Sequence, residues 1–397
     1  MTFCLLPPFY PQTMPAAEPS ASVAPGAPLG RQQSGGYLPA LTGLRAIAAW
    51  LVFFNHYPLG PLPPPGSARA FQYFVDESHG LPLLLLLSGF LIALRYDNAS
   101  TGSFSPRGGW KSYLQNRLAR VYPLYALLTL ATFGLLWHWR SPQATPAHLL
   151  LNLSLLRGFF DEYKFTGIGQ AWSLTLLECF YLAAPLLMAL RARGVALWLQ
   201  PLLLLAMGAG LVALLAPLNW HGLFGSYPFM LSYTFLGHSM EFFIGAWLAG
   251  RYRSGRLGSP SGPWRTIGGV ALWVAVTAGL GLTQAQFHNP DHPLTLVLNL
   301  VGLPAAGGLL FAGLLSEVSW FRHLLSSSLF QKLGRSSYAF YLLHAGPLAF
   351  WVYDWLPGIW WLQLMAVQAV SYGTYQVVEA PLQRLFSARK LKPLHVA

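Results

Sequence analysis

The chain is expected to fold as an all-α, polytopic integral membrane protein of about ten transmembrane helices. Three observations lead there. Long apolar runs recur from residue 38 to residue 380. Only 9% of the residues are charged and 54% are hydrophobic, whereas soluble domains are about a quarter charged. A run of about 20 apolar residues matches the hydrocarbon thickness, and there its backbone must bond to itself, as a helix. The third observation is where the cations lie. The runs fall at about 38–57, 80–95, 121–139, 168–190, 195–216, 227–250, 264–283, 294–315, 336–355 and 359–380. With the N-terminus inside, nineteen of the 24 Lys and Arg fall in inner segments, four in outer ones, and Arg45 within a span. That asymmetry predicts an inner (plasma) membrane protein with both termini cytoplasmic. It also accounts for the formal net charge of +12 without a nucleic-acid partner. Membrane lipids and an anionic ligand are the expected counterparts.

Residues 1–36, rich in Pro, Ala, Ser and Gly, lack the apolar content to fold and read as a disordered cytoplasmic tail. No basic stretch followed by an apolar one marks a signal peptide there. The membrane domain is expected over 37–385, with a basic cytoplasmic tail over 386–397. The first span, LPALTGLRAIAAWLVFFNHY, holds Arg45 and His56 eleven residues apart. At about 100° per residue the two share one helix face, about 16 Å apart along the axis. An ionisable residue inside a span costs about 2.5 to 3.5 kcal/mol on insertion scales, so the pair is a candidate site. Arg45 falls in the inner part of the membrane and His56 near its outer end. The apolar segment 147–156 is too short to cross and reads as interfacial or re-entrant. Cys4 and Cys179 imply neither a disulfide nor a metal site.

Farther along, Arg117 and Arg120 share a face of a helix entering from the inner side. Two planar guanidinium forks suit a phosphate-bearing ligand. Glu178 lies about 9 Å deeper than Trp172 on its helix and is a second acid–base candidate beside His56. Depth nominates Glu241 as the charge partner of Arg45. Ser337, Tyr341 and His344 fall on one face, with His344 expected at the depth of Arg45 as a hydrogen-bonded structural residue. Glu379 and Arg384 are expected to fix the inner end of the last helix. Ser88 and Gly89 are small enough for close helix approach.

Arg45-x10-His56 after GLRAIAA opens a series of motifs. HGLPLLLLLSGFLI, Arg117-x-x-Arg120 before Pro123 and Tyr125, AWSLTLLECFYLAAP, HSMEFFIGAWLAG, LGRSSYAFYLLHAGP and YQVVEAPLQR follow. Together they resemble the membrane acyltransferase-3 family of O-acyltransferases, in family order from residue 38 to residue 384. Pro82 stands where the family often has an acid, and Leu177 replaces the first of two glutamates, which excludes a paired-carboxylate mechanism. The resemblance implies transfer of an acyl group, most often acetyl, to a hydroxyl of a carbohydrate or glycoconjugate. Cytoplasmic acyl-coenzyme A would be the donor substrate rather than a permanently bound cofactor. Arg45, Arg117 and Arg120 would meet its phosphates. His56 would act as a general base or carry a transient acyl group, with Glu178 assisting and Glu241, Tyr341, His344 and Glu379 in support. A transporter or flippase would use intramembrane Arg, His and Glu equally well, although no internal repeat is evident.

Overall fold

The backbone of the apolar runs finds its partners within each run. In the computed structural model every regular element of the described residues is helical. Those residues are 37–56, 67–97, 106, 109–258 and 262–387; the expected tail at 1–36 and the basic end from 388 lie outside them. The first half of the chain forms α1 (Pro39–His56), α2 (Ser67–Asp76), α3 (Leu81–Tyr96), the 30-residue α4 (Gly109–His138), α5 (Pro146–Leu153), α6 (Trp172–Ala192) and α7 (Leu199–Leu215). There follow α8 (Tyr227–Tyr233), α9 (Ser239–Arg253), α10 (Trp264–Phe287), α11 (Pro293–Val297) and α12 (Leu303–Ser316). The last part holds α13 (Trp320–Ser326), α14 (Ser328–Arg335), α15 (Ser337–Leu343), α16 (Phe350–Trp355), α17 (Trp360–Thr374) and α18 (Ala380–Phe386). Short helices start on hydroxyl caps. Thr145, Ser226, Ser319 and Ser327 each accept an amide of the first turn of α5, α8, α13 and α14, worth about 1 kcal/mol apiece.

Six stretches of the described residues are long and apolar enough to cross a membrane: Phe71–Tyr96, Gly109–His138, Gly169–Ala192, Leu199–Leu218, Trp264–Phe287 and Pro293–Ser316. The other expected spans are shorter or interrupted. α1 has 18 residues and carries Arg45. The span expected at 227–250 breaks at Thr234, whose extended backbone ends α8 before α9 begins. The one expected at 336–355 breaks after His344, where Gly346 takes φ +85° and Pro347 has no amide to donate. The one expected at 359–380 passes from α17 into a π turn.

Two such π turns, Leu298–Gly302 and Tyr375–Glu379, share one cause. The amide after each bonds five residues back, Leu303 to Leu298 and Ala380 to Tyr375, and the next residue is Pro304 or Pro381. Proline lacks the donor for the α-helical bond and crowds the preceding turn, so the turn widens. The second widening leaves Glu379 buried among the helices.

Close helix approach sets the rest of the bundle. α3 and α9 cross where Gly89 and Gly245 face each other's backbone. A Cβ on Gly89 would sit 2.1 Å from the Phe242 carbonyl oxygen, and one on Gly245 would sit 2.1 Å from that of Leu86. Beside this crossing Phe180 of α6 stacks on Phe242 at 4.6 Å and 1°, worth about 0.5–1.5 kcal/mol beyond area burial. α1 is held equally tightly by α13, since a Cβ on Gly43 would meet the Leu325 carbonyl. Where α3, α6 and α9 end, Asp97 lies between Arg191, at 2.5 Å, and Arg253, at 3.7 Å. Arg253 also donates to the last carbonyls of α3. Two of the cations that read as topology signals therefore tie helix ends together.

Gly245→Val is expected to lower the thermal unfolding midpoint in detergent, because overpacking costs about 1–3 kcal/mol or more. Gly250→Val, with no atom within 4 Å of the added Cβ, controls for helix propensity. Equal midpoints for the two variants would show that the α3–α9 crossing is not close-packed.

Candidate active site

α1 carries candidate site residues toward both ends. At its C-terminal end His56 is exposed, and its Nδ1 lies 2.8 Å from the Val52 carbonyl oxygen. A carbonyl only accepts, so Nδ1 holds the proton and Nε2 keeps a free lone pair. The Nε2 of His344 stands 3.4 Å from the same Nδ1. His344 is fully buried, and its own Nδ1 donates to the Tyr341 carbonyl at 2.9 Å. Its Nε2 is then an acceptor, and the pair is chemically consistent: two neutral rings, with the His56 Nδ1–H shared between Val52 and His344. The ring of Phe340 stacks on His344 at 5.9 Å and 7°, and the Tyr353 hydroxyl donates to the His344 carbonyl.

The scaffold behind His344 comes from a structured segment between α5 and α6. There Arg157 is fully buried, donating to the carbonyls of Thr166 and Ile168. It thereby fixes the approach to Gln170. The Gln170 amide donates to the carbonyls of Tyr341 and Leu342 at 3.0 and 3.1 Å. The Tyr341 hydroxyl reaches back to Ser173 and to the Gln170 carbonyl at 2.6 and 2.7 Å. The end of α15 is thus hydrogen-bonded to the start of α6.

The other end of α1 is basic. Arg45 lies in the electrostatic field of Arg120, Tyr181, Arg117 and Tyr37. Glu379 acts on Arg120 and Arg45, and Glu178 on Arg117. Arg45, Arg120 and Tyr338 are part-buried and keep some solvent-accessible surface. Arg117 differs from them. Only 6% of it is exposed, and its guanidinium sits among the rings of Tyr96, Tyr113 and Tyr181 at 5.2, 5.7 and 5.4 Å. Such cation–ring contacts contribute about 0.5–2 kcal/mol each, most when dry.

A family model described as an acyltransferase domain matches residues 38–374, which takes in α1 and both of its ends. The chain belongs to the acyltransferase-3 family. It is an O-acyltransferase by that membership, and a membrane protein by its apolar helices. Among curated proteins, the acyltransferase MdmB of Streptomyces mycarofaciens is 26% identical over 398 residues, covering 89% of this chain and 93% of its own. A protein of Acidianus two-tailed virus named as an acetyltransferase is 30% identical over 198 residues. That match covers 49% of this chain and 55% of the viral one, so the chain spans about half the length of that relative. No solved structure matches.

Within this acyltransferase the site residues read from the sequence fall into two groups. Arg45, Arg117, Arg120, Glu178 and Glu379 come together at one end, and His56 and His344 at the other. Two placements differ from expectation. His344 is not at the depth of Arg45, because the chain enters the bundle earlier than residue 336: Gln331 already donates to the Pro39 carbonyl at 2.7 Å. Glu241 does not partner Arg45. The break before α9 puts His238 one turn ahead of it, and the two pair at 2.9 Å; Glu379 takes the place beside Arg45. Glu178 stands with Arg117. Tyr181, Tyr338 and Gln170 were missed. Tyr181 follows Glu178 by three residues and so shares its face, a signal the sequence did contain. Gln170 gave none.

Diethyl pyrocarbonate should carbethoxylate His56 and spare His344. Peptide mass spectrometry after brief treatment reads this directly. Modification of His344 at the same rate would contradict its burial.

Proposed function

We propose that the protein transfers an acyl group, acetyl in the simplest case, from cytoplasmic acyl-coenzyme A to a hydroxyl of a carbohydrate or glycoconjugate. The acceptor sits at the outer side of the inner (plasma) membrane. The chain crosses ten times with both termini cytoplasmic, the interrupted helices included. The single observation that carries this is the layout of α1: a part-buried cluster of guanidiniums around Arg45 toward one end and an exposed, lone-pair-bearing His56 Nε2 at the other. Their separation along the helix, about 16 Å, is of the order of an extended pantetheine arm.

The donor's phosphates belong at the basic end. Three guanidiniums, Arg45, Arg117 and Arg120, face two carboxylates, Glu178 and Glu379, so positive charge remains for an anion to balance. Arg45 and Arg120 offer open forks to phosphate, and Arg117 supports them from behind its tyrosines. Glu178 is assigned to this end, where it restrains Arg117. At the other end His56 Nε2 takes the acceptor's hydroxyl proton as its oxygen attacks the thioester carbonyl. The C–S bond then breaks, and the proton passes to the leaving thiolate of coenzyme A. Tyr341 shapes the wall, and Glu241 with His238 holds the break before α9.

Purified protein given acetyl-coenzyme A and acceptor should release free coenzyme A, and a transporter would release none. His56→Ala should lower turnover by about 10² to 10⁴-fold with donor affinity unchanged. Arg120→Lys should weaken donor affinity about tenfold, since an ammonium does not replace a bidentate fork. Turnover of His56→Ala within tenfold of wild type would place the base elsewhere.

In a cysteine-free background, single cysteines at Gly222 and Gln286 should label from outside intact cells. One at Gly255 should label only after permeabilisation. Outside labelling at Gly255 would invert the orientation.

A further inference from the structure

We infer that His344 is a positioning residue for His56: it holds the His56 ring in the Nδ1–H tautomer and accepts that hydrogen more strongly once His56 becomes an imidazolium. The inference deepens the proposed function and rests on His56 being the base.

The geometry carries it. A base that works through Nε2 must keep its proton on Nδ1 and must not rotate about χ2. The Val52 carbonyl meets the first need from within α1. It is a weak restraint alone, since a terminal side chain at the end of a helix has room to turn. His344 supplies a second acceptor, 3.4 Å away, on a different element. Everything around His344 fixes it as an acceptor and nothing else. Its Nδ1 is committed to the Tyr341 carbonyl, its ring is stacked on Phe340, and its own carbonyl is held by the Tyr353 hydroxyl. The Tyr341 carbonyl is in turn held by Gln170. A buried imidazole with one nitrogen pinned presents its remaining lone pair in one direction, toward His56.

The arrangement differs from a carboxylate-supported histidine. The groups acting on His56 are the Val52 carbonyl, His79 and His344, with no acid among those described. The resting pair is uncharged. The proton taken from the acceptor at Nε2 draws the Nδ1–H toward both acceptors, and no proton need pass to His344. When the thiolate leaves, Nε2 returns the proton and the neutral pair is restored.

His344→Leu removes the acceptor at similar volume, and His344→Gln retains one in its amide oxygen. A hydrogen bond to a charged group is worth about a 10- to 100-fold rate factor. His344→Leu should therefore lose about that much in kcat with both KM values unchanged, and His344→Gln should recover most of it. In a His56→Ala background, His344→Leu should cause no further loss. Full kcat in His344→Leu, or the same loss with and without His56, would overturn the inference. A further measurement uses wild-type protein. The ¹⁵N shifts of labelled histidines should show Nδ1–H tautomers at His56 and His344, and an Nε2–H tautomer at His344 would overturn it equally. The two readings fail separately. Activity in His56→Ala removes the base itself, whereas an inactive His56→Ala with a fully active His344→Leu removes only the role of His344.

Discussion

Charge imbalance inside the bundle is the constraint on which the rest depends. Arg45, Arg117 and Arg120 are held close together, against Glu178 and Glu379. Unpaired buried charge is strongly destabilising, and each device around the cluster reduces that cost differently. The rings of Tyr96, Tyr113 and Tyr181 spread the charge of Arg117 over π faces. Glu379 is delivered to Arg120 by a widened turn. Arg45 and Arg120 keep water-accessible surface. On the proposed function, what these devices leave unbalanced is the attraction for an anionic donor. A fully neutralised cluster would be more stable and would bind nothing.

The other end of α1 solves the opposite problem. As the proposed base, His56 must be ready to accept a charge without carrying one at rest. His56 and His344 do this as two neutral rings with complementary tautomers. The two ends are joined along α1 itself. That helix is held in place because α13 approaches it as closely as a glycine permits and because Gln331 of α14 donates to the carbonyl of its first residue, Pro39. The indole of Trp50 adds a tether at mid-length, donating to Gln368, which donates to Ser336. The distance from the basic cluster to His56 is therefore set by helical rise rather than by loops.

Much of this was legible in the sequence, for identifiable reasons. The Arg45–His56 pair could be read because an uninterrupted helix converts spacing into geometry. Arg117 and Arg120 could be read for the same reason, although their spacing did not reveal that one is caged and the other open. Depth counting failed where helices break or start unannounced. His344 was misplaced because α14 enters the bundle with its charges, Lys332 and Arg335, turned outward. Glu241 was mispaired because nothing in FLGHSM marks the break as strongly as proline would. The tyrosine cage and the support from Gln170 join residues distant in sequence, and without pairing information such contacts leave no trace in one chain.

The aim of Glu379 follows from a neighbour two residues on, Pro381. Pro381 withholds one hydrogen bond, the turn before it gains a residue, and the carboxylate swings inward. Acid and proline are thus a single heritable character. A relative that loses the proline would have to drop a residue between α17 and α18 as well, or its glutamate would point elsewhere. When chains of this family are aligned, a one-residue gap at this place is then a compensation rather than noise. The pair, not the glutamate alone, is what selection would act on.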